Sequence, residues 1–211
     1  MNLLTPGPRR WLALAGLLAA AALLVRLVAI RATRLPEVLD WQPALALHQP
    51  WRAFTAAAVH YSTLHLSANL LGAALVAALG VAARIPRAMA VAWAAAWPLT
   101  QIGLMLRPDL PHYGGLSGVL HAGAAVVAVH LVAAGPGMRR AIGAALFSGL
   151  VVKVAMESPW GSALRHPAGW DIATAPFAHL SGLVAGVVCA TVAVAIGGGR
   201  EDAGTNIRPD A

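Results

Sequence analysis

The sequence has 211 residues, of which 59% are apolar and only 11% are charged. A soluble domain usually carries about 25% charged residues, so this chain has too few charges to cover a globular surface. The composition indicates a polytopic membrane protein and excludes a disordered chain, a coiled coil and a disulfide scaffold. The single cysteine, Cys189, allows no internal disulfide and no multi-cysteine metal site. The net charge of +7 comes from scattered arginines, which indicates topology and anionic-lipid contact rather than nucleic-acid binding.

Apolar segments of spanning length occur six times along the chain. A spanning helix needs roughly 20 mostly apolar residues, and the candidates lie at about residues 11–30, 55–80, 88–106, 116–134, 139–157 and 175–196. They predict an all-α polytopic membrane protein. Its six-helix membrane domain covers residues 11–196, between a cytoplasmic N-terminus, residues 1–10, and a flexible polar tail, residues 197–211.

The placement of arginine predicts the orientation of these spans. With the N-terminus inside, eight arginines fall on the inner side and five on the outer side, which favours cytoplasmic N- and C-termini. The second, fourth and sixth spans then run from the outer face inward. Residues near their N-terminal ends therefore share one depth, just below the outer surface.

Polar residues cluster at the outer ends of these three spans. Ionisable and polar groups inside a membrane are costly, and we treat them as functional candidates. A helix rises about 1.5 Å per residue, so the polar groups lie within roughly 10 Å of one another in depth. The polar residues are His60, His65 and Asn69 in the second span, Ser117 and His121 in the fourth, and His179 in the sixth, and they lie beside the glycines Gly114, Gly115, Gly118, Gly182 and Gly186.

The types of residue in this layer are suited to nucleophilic catalysis. Ser117 lies in a Gly-x-Ser-Gly turn at a helix start, where unpaired backbone N–H groups can stabilise an oxyanion. His179 can accept the serine proton. His65 and Asn69 are spaced i, i+4, so both face one side of their helix and can donate to an oxyanion.

Small residues indicate how the nucleophile and the base come together. Gly182 and Gly186 form a GxxxG pair, which lets a helix approach its neighbour closely. Gly118 offers a similarly small surface on the fourth span. Close packing of these two helices is expected to bring His179 to Ser117.

The three motifs resemble those of the rhomboid intramembrane serine proteases, over about residues 51–190. The stretch from Trp51 to Gly72 is similar to the rhomboid first-loop and second-helix signature, GGLSGVLHAG to the nucleophile turn, and AHLSGLVAG to the last core helix. The resemblance implies a six-transmembrane-helix rhomboid-like bundle whose active site faces the outer side. We expect no cofactor and no metal.

The resemblance also implies roles for individual residues. Ser117 is the expected nucleophile and His179 the general base and acid. His65 and Asn69, with the backbone N–H of Ser117, are the expected oxyanion donors. The family uses a Ser-His dyad without a third acid, and no aspartate lies in the layer beside His179. We expect supporting roles for Gly115, Gly118, His121, His60 and Glu157.

A finer resemblance is to the rhombosortases, a small rhomboid subfamily of certain bacteria. We expect no soluble appendage. His121 stands where ordinary rhomboids usually have Tyr, and Lys153 and Glu157 are similar to a K-x-x-x-E pattern. The resemblance implies a bacterial inner-membrane enzyme with its site toward the periplasm. Its partners are the lipid bilayer and membrane-anchored substrates with a C-terminal hydrophobic helix, preceded by a Gly-Gly motif and followed by a basic end.

Lys153 and Glu157 leave two interpretations open. They can simply neutralise one another at i, i+4, although Lys before Glu is the less favourable order. Glu157 also falls at a helix C-terminus, where the dipole disfavours an anion. This mismatch favours a functional reason, such as contact with a polar segment of the substrate.

Three other functions are considered. A haem or metal protein is the first, since eight histidines are present, but a spacing of five turns His60 and His65 to different helix faces, and no His-Glu-x-x-His motif occurs. A non-catalytic rhomboid-like binding protein is the second, and it would be expected to lack Ser117 or His179. The third is a general rhomboid protease that cleaves single-pass type I membrane proteins.

Overall fold

The computed structural model describes residues 6–133 and 135–205. Of the described residues, 72% are helical, and they contain no β-strand, only isolated bridges at Trp41–Tyr113 and Arg165–Thr174. The all-α prediction is confirmed. Residues 1–5 of the predicted N-terminal segment and residues 206–211 of the predicted tail lie outside the described residues.

The described residues form eight α-helices. In chain order they are α1 (Pro6–Ala29), α2 (Leu35–Leu39), α3 (Arg52–Thr55), α4 (Thr63–Ala82), α5 (Arg87–Ile102), α6 (Ser117–Ala133), α7 (Met138–Met156) and α8 (Pro176–Thr205). The longer connections come before α3, α6 and α8. Short 3-10 turns occur at Pro43–Leu45, Ala56–Ala58 and Gly103–Leu106. Helix α8 continues into the predicted tail as far as Thr205, because extending an existing helix adds one hydrogen bond per residue at little cost. The flexibility of the tail stays a prediction.

Among the described residues, four helical segments are long and apolar enough to cross a membrane: Gly7–Ala29, Thr63–Ala82, Arg87–Leu106 and Pro176–Gly197. They support the prediction of a membrane-embedded protein. Helix α6 is apolar but shorter, at 17 residues. Helix α7 carries three basic residues, Arg139, Arg140 and Lys153. This number of charges makes its composition less typical of a membrane-spanning helix. The count of six spans therefore stays a prediction.

Helix α6 is the central helix of the bundle. Every residue from Gly118 to Ala128 except His121 is buried, and α6 packs against α4, α5, α7 and α8. A helix that is apolar all round belongs in the interior of a protein. Its position explains why it is short, since its neighbours rather than lipid surround most of its length.

The backbones of α6 and α8 touch at their glycines. A Cβ added to Gly182 would collide with the carbonyl oxygen of Gly118, and one added to Gly186 would collide with the carbonyl oxygen of Ala122. A Cβ on Gly118 would lie 2.8 Å from the carbonyl oxygen of Ala178. The GxxxG pair is thus at the helix contact, as small residues in membrane helices commonly are. It holds the N-terminal ends of α6 and α8 side by side.

The connection between α1 and α4 is ordered by a buried ion pair. Arg52 Nη1 lies 3.2 Å from Asp40 Oδ1 and donates to the Asp40 carbonyl at 2.7 Å. Tyr61 donates to the second Asp40 oxygen at 3.0 Å. Trp41 and Tyr113 exchange both backbone hydrogen bonds at 2.7 Å. This network fixes the segment that leads into α6.

The glycine contact gives a direct test of the packing. We expect Gly182→Val to lower the free energy of unfolding by about 1–3 kcal/mol, the usual cost of overpacking a close contact, because the new side chain meets the backbone of α6. Thermal unfolding of the purified protein in detergent measures the change.

Gly197→Ala is the matched control on the same helix, because a Cβ there meets nothing within 4 Å. We expect it to be no less stable than the wild type, and up to about 1 kcal/mol more stable, because alanine is the better helix former. Equal stability of Gly182→Val and the wild type would show that α6 and α8 are not in backbone contact.

Candidate active site

A cavity of about 1050 Å³ opens between α4, α6, α7 and α8. The segment that connects α7 to α8 lines another side of it. One site was expected from the outer ends of three helices, and the cavity brings those helix ends together. Its walls include His65, Asn69, Ser117, His121, Glu157 and His179.

Ser117 and His179 are in direct contact. Ser117 is the first residue of α6, His179 lies in the first turn of α8, and Ser117 Oγ is 2.9 Å from His179 Nε2. Gly115 precedes the serine with φ +135°, a region that favours glycine, so the chain turns sharply before α6 begins. A hydroxyl bonded to an imidazole nitrogen is the arrangement of a nucleophile with its base.

An acid lies on the other side of the same imidazole. His179 Nδ1 is 2.6 Å from Glu157 Oε2, and Lys153 Nζ is 2.6 Å from Glu157 Oε1. The expectation that no third acid stands beside His179 is therefore wrong. The predicted layer lacks an aspartate beside His179, but the carboxylate belongs to a glutamate at the end of α7. The C-terminal end of α7 lies beside the N-terminal end of α8, as the contact between Glu157 and His179 shows. The alternating direction of the spans was the sequence signal that could have placed Glu157 at this level.

His121 supports the other face of His179. The two rings stack with centroids 4.2 Å apart and an interplanar angle of 13°. His121 Nδ1 donates to the Ser117 carbonyl oxygen at 2.6 Å. His121 thus packs on His179 while its own ring is tied to the backbone of the serine. The supporting role expected for His121 stays a prediction.

His65 and Asn69 face the turn that precedes Ser117. A Cβ on Gly115 would lie 2.8 Å from His65 Nε2 and 3.9 Å from Asn69 Nδ2, so the bare glycine makes room for both side chains. Asn69 Nδ2 donates to the His65 carbonyl at 3.1 Å. His65 Nδ1 is buried without a hydrogen-bond partner among the described residues. The two side chains and Ser117 share the cavity.

His60 does not lie on the second-span helix, contrary to the prediction of a helical segment over residues 55–80. Helix α4 begins only at Thr63, because Ser62 Oγ accepts the His65 backbone N–H at 3.0 Å and caps it. The argument that a spacing of five turns His60 and His65 apart therefore fails, and their ring centroids are 4.8 Å apart. His60 Nδ1 lies 3.3 Å from the Ala58 carbonyl oxygen. In the part of the chain that was described, no group of three or more His, Cys, Asp or Glu is placed to hold a metal ion.

The segment between α7 and α8 reaches across the cavity to α4. Trp170 packs edge-on to His65, with centroids 6.4 Å apart, and Asp171 Oδ1 accepts from Ser62 Oγ at 2.8 Å. The bridge between Arg165 and Thr174 holds the segment folded back on itself. The sequence places these residues in an outer loop but carries no signal for the contact with α4.

Arg107, which the sequence analysis did not single out as a site residue, ties three elements together. It follows α5 and donates to the carbonyls of Pro159 and Gly161, each at 2.9 Å. Its guanidinium also lies 5.6 Å from the ring centroid of Phe177 in α8. Hydrogen bonds from Arg107 hold the pKa of Asp109 below its usual range, so this carboxylate stays ionised beside it. Arg107 thereby fixes the turn after Glu157 against the start of α8.

The family of the chain is shown by comparison with known domains. Residues 47–196 match the Rhomboid domain, which is most of the chain and includes all the cavity-lining residues named above. No curated protein matches the chain. The chain belongs to the rhomboid family, whose members are intramembrane serine proteases.

Proposed function

We propose that this chain is an intramembrane serine endopeptidase in which Ser117 is the nucleophile and His179 the general base and acid. The observation that carries the proposal is the 2.9 Å contact between Ser117 Oγ and His179 Nε2 inside a Rhomboid domain. The hydroxyl proton passes to Nε2 as Oγ attacks the scissile carbonyl carbon, and a tetrahedral oxyanion forms. The same imidazole then protonates the leaving amine, and water hydrolyses the acyl-enzyme.

His65, Asn69 and the backbone N–H of Ser117 are the proposed donors to the oxyanion. The approach of both side chains to Gly115 supports this assignment, because the oxyanion forms beside the serine that follows that turn. The start of α6 adds backbone N–H groups that lack intrahelical acceptors. Preorganised donors of this kind stabilise the charge that develops in the transition state.

The proposed substrates are those of a rhombosortase. The GLSGVLHA motif with His121 and the Lys153–Glu157 pair support the subfamily. The enzyme would cleave the C-terminal GlyGly-type sorting segment of exported proteins near the outer face of the bacterial inner membrane. Its termini would be cytoplasmic and its site would face the periplasm. A Gly-Gly motif lowers the cost of unwinding the end of a substrate helix, because glycine is the poorest helix former after proline.

Removing either residue of the proposed pair tests the chemistry. We expect Ser117→Ala and His179→Ala to lower cleavage by at least about 10³-fold, because loss of a nucleophile or its base typically costs that much or more. Cleavage of a tagged reporter in co-expressing cells, with thermal unfolding to verify folding, measures the effect.

Ser148→Ala and His48→Ala are the matched controls, since both residues are exposed and lie away from the cavity. We expect wild-type cleavage from each. Activity retained by either Ser117→Ala or His179→Ala would contradict the assignment.

Two reporters distinguish the candidate substrates. One ends in a Gly-Gly motif, a hydrophobic helix and a basic end, and the other carries the spanning helix of a single-pass type I protein. We expect Ser117-dependent cleavage of the first alone. Cleavage of the second alone would leave the protease assignment intact and would make the chain a general rhomboid protease.

The oxyanion assignment has its own test. We expect Asn69→Ala to lower kcat by about 10²–10³-fold, the usual loss when one oxyanion donor is removed. KM should change little, because this donor acts on a charge absent from the ground state. Steady-state kinetics of the purified protein separate the two constants. Unchanged kcat in a folded variant would remove Asn69 from the oxyanion hole.

A further inference from the structure

We infer that Glu157 positions His179 for catalysis, so that the site works as a Ser117–His179–Glu157 triad in which Lys153 orients the carboxylate. The inference rests on the proposed function and adds a third residue to it. Three side chains from three helices or helix ends meet in a chain of short contacts. Ser117 Oγ to His179 Nε2 is 2.9 Å, and His179 Nδ1 to Glu157 Oε2 is 2.6 Å.

The carboxylate selects the tautomer of His179. An ionised carboxylate only accepts hydrogen bonds, so the ring nitrogen that faces it at 2.6 Å carries the proton. The other nitrogen, Nε2, then presents its lone pair to the Ser117 hydroxyl. When the Ser117 hydroxyl proton has moved to Nε2, both ring nitrogens carry a proton and His179 is an imidazolium beside the Glu157 carboxylate. The carboxylate stabilises this cation without taking a proton.

The position of Glu157 is unfavourable for helix α7 by itself. The residue is the C-cap of the helix, where the dipole opposes an anion, and Lys153 precedes it in the less favourable order. Local helix stability therefore does not explain this pair. The contact across to His179 does, because it gives the carboxylate a partner outside its own helix.

The turn around Glu157 is held by other parts of the fold. Arg165 donates to the Glu157 carbonyl at 2.9 Å, and Arg107 donates to the carbonyls of Pro159 and Gly161. The Glu157 side chain is 29% exposed. The carboxylate is thus presented to His179 by a turn fixed from both sides, as a positioning residue requires.

Lys153 determines which carboxylate oxygen faces the histidine. Lys153 Nζ donates to Glu157 Oε1 at 2.6 Å, so Glu157 Oε2 is the oxygen that faces His179. In Glu157→Gln, Lys153 would still require an oxygen, because an ammonium group only donates. The amide oxygen would turn to Lys153 and the NH₂ group to His179 Nδ1. His179 would then hold its proton on Nε2, which is the tautomer that cannot accept from Ser117.

The kinetic test uses this difference between the two partners. For the purified protein with the reporter that it cleaves, we expect Glu157→Gln to lower kcat by about 10²–10⁴-fold, as loss of a triad carboxylate does elsewhere, with KM within about threefold. Lys153→Met should lose less than about tenfold. The double variant Lys153→Met/Glu157→Gln frees the amide to turn its oxygen to His179, so we expect it to recover at least about tenfold of kcat over Glu157→Gln.

A spectroscopic measurement tests the positioning without any substrate. Nitrogen-15 NMR of histidine-labelled protein identifies which ring nitrogen is protonated, and the His179 signals are those lost in His179→Gln. We expect the Nδ1–H tautomer in the wild type and in the double variant. In Glu157→Gln we expect the Nε2–H tautomer. Thermal unfolding of each variant verifies that the bundle is folded.

The outcomes separate this inference from the proposed function. Ser117→Ala with wild-type cleavage would overturn the protease mechanism, whereas the tautomer measurement would still report on Glu157. Unchanged kcat and tautomer in Glu157→Gln would overturn the triad and leave a dyad. A rise in KM with unchanged kcat would also overturn it, and would assign Glu157 to a polar segment of the substrate.

Discussion

The backbone contact between α6 and α8 is the constraint on which the site depends. Gly118 and Gly182 bring the two helices so close that a single added methyl group would strike a carbonyl oxygen. Ser117 and His179 stand at the N-terminal ends of these helices, next to the contact. Their separation of 2.9 Å is therefore a property of helix packing, and it does not depend on a mobile loop to assemble it.

Burial in a membrane bundle requires every polar group of the site to find partners among its neighbours. The side chains of Ser117, His179 and Glu157 meet this requirement by sharing partners, whereas His65 Nδ1 and His121 Nε2 have no hydrogen-bond partner among the described residues. The Ser117 carbonyl oxygen accepts a hydrogen bond from His121, and the Ser117 hydroxyl contacts His179. One oxygen of the Glu157 carboxylate contacts His179, and the other accepts from Lys153. Such linked hydrogen bonds fix side-chain orientation as well as position. A substitution at any member is expected to disturb the orientation of the others.

The sequence predicted the elements of the site whose position follows from helix periodicity and depth. Ser117, His179, His65 and Asn69 each lie near the start of a helix, so their common layer could be found by counting residues. The rest depends on turns. His60 lies outside α4 because Ser62 caps the helix at residue 63, and Glu157 reaches His179 because a turn held by Arg107 returns the chain to α8. Contacts that side chains make across such turns leave no periodic pattern in the sequence, so they could not be predicted from it.

The hydroxyl of Ser62 performs two tasks at once. It accepts the His65 N–H that begins α4, and it donates to Asp171 in the segment that crosses the cavity. These tasks use different lone-pair and proton directions, so one bond can break while the other remains. Displacement of this segment from Ser62 would thus give up this hydrogen bond, worth about 0.5–1.5 kcal/mol. The first turn of the helix that carries His65 and Asn69 would stay wound.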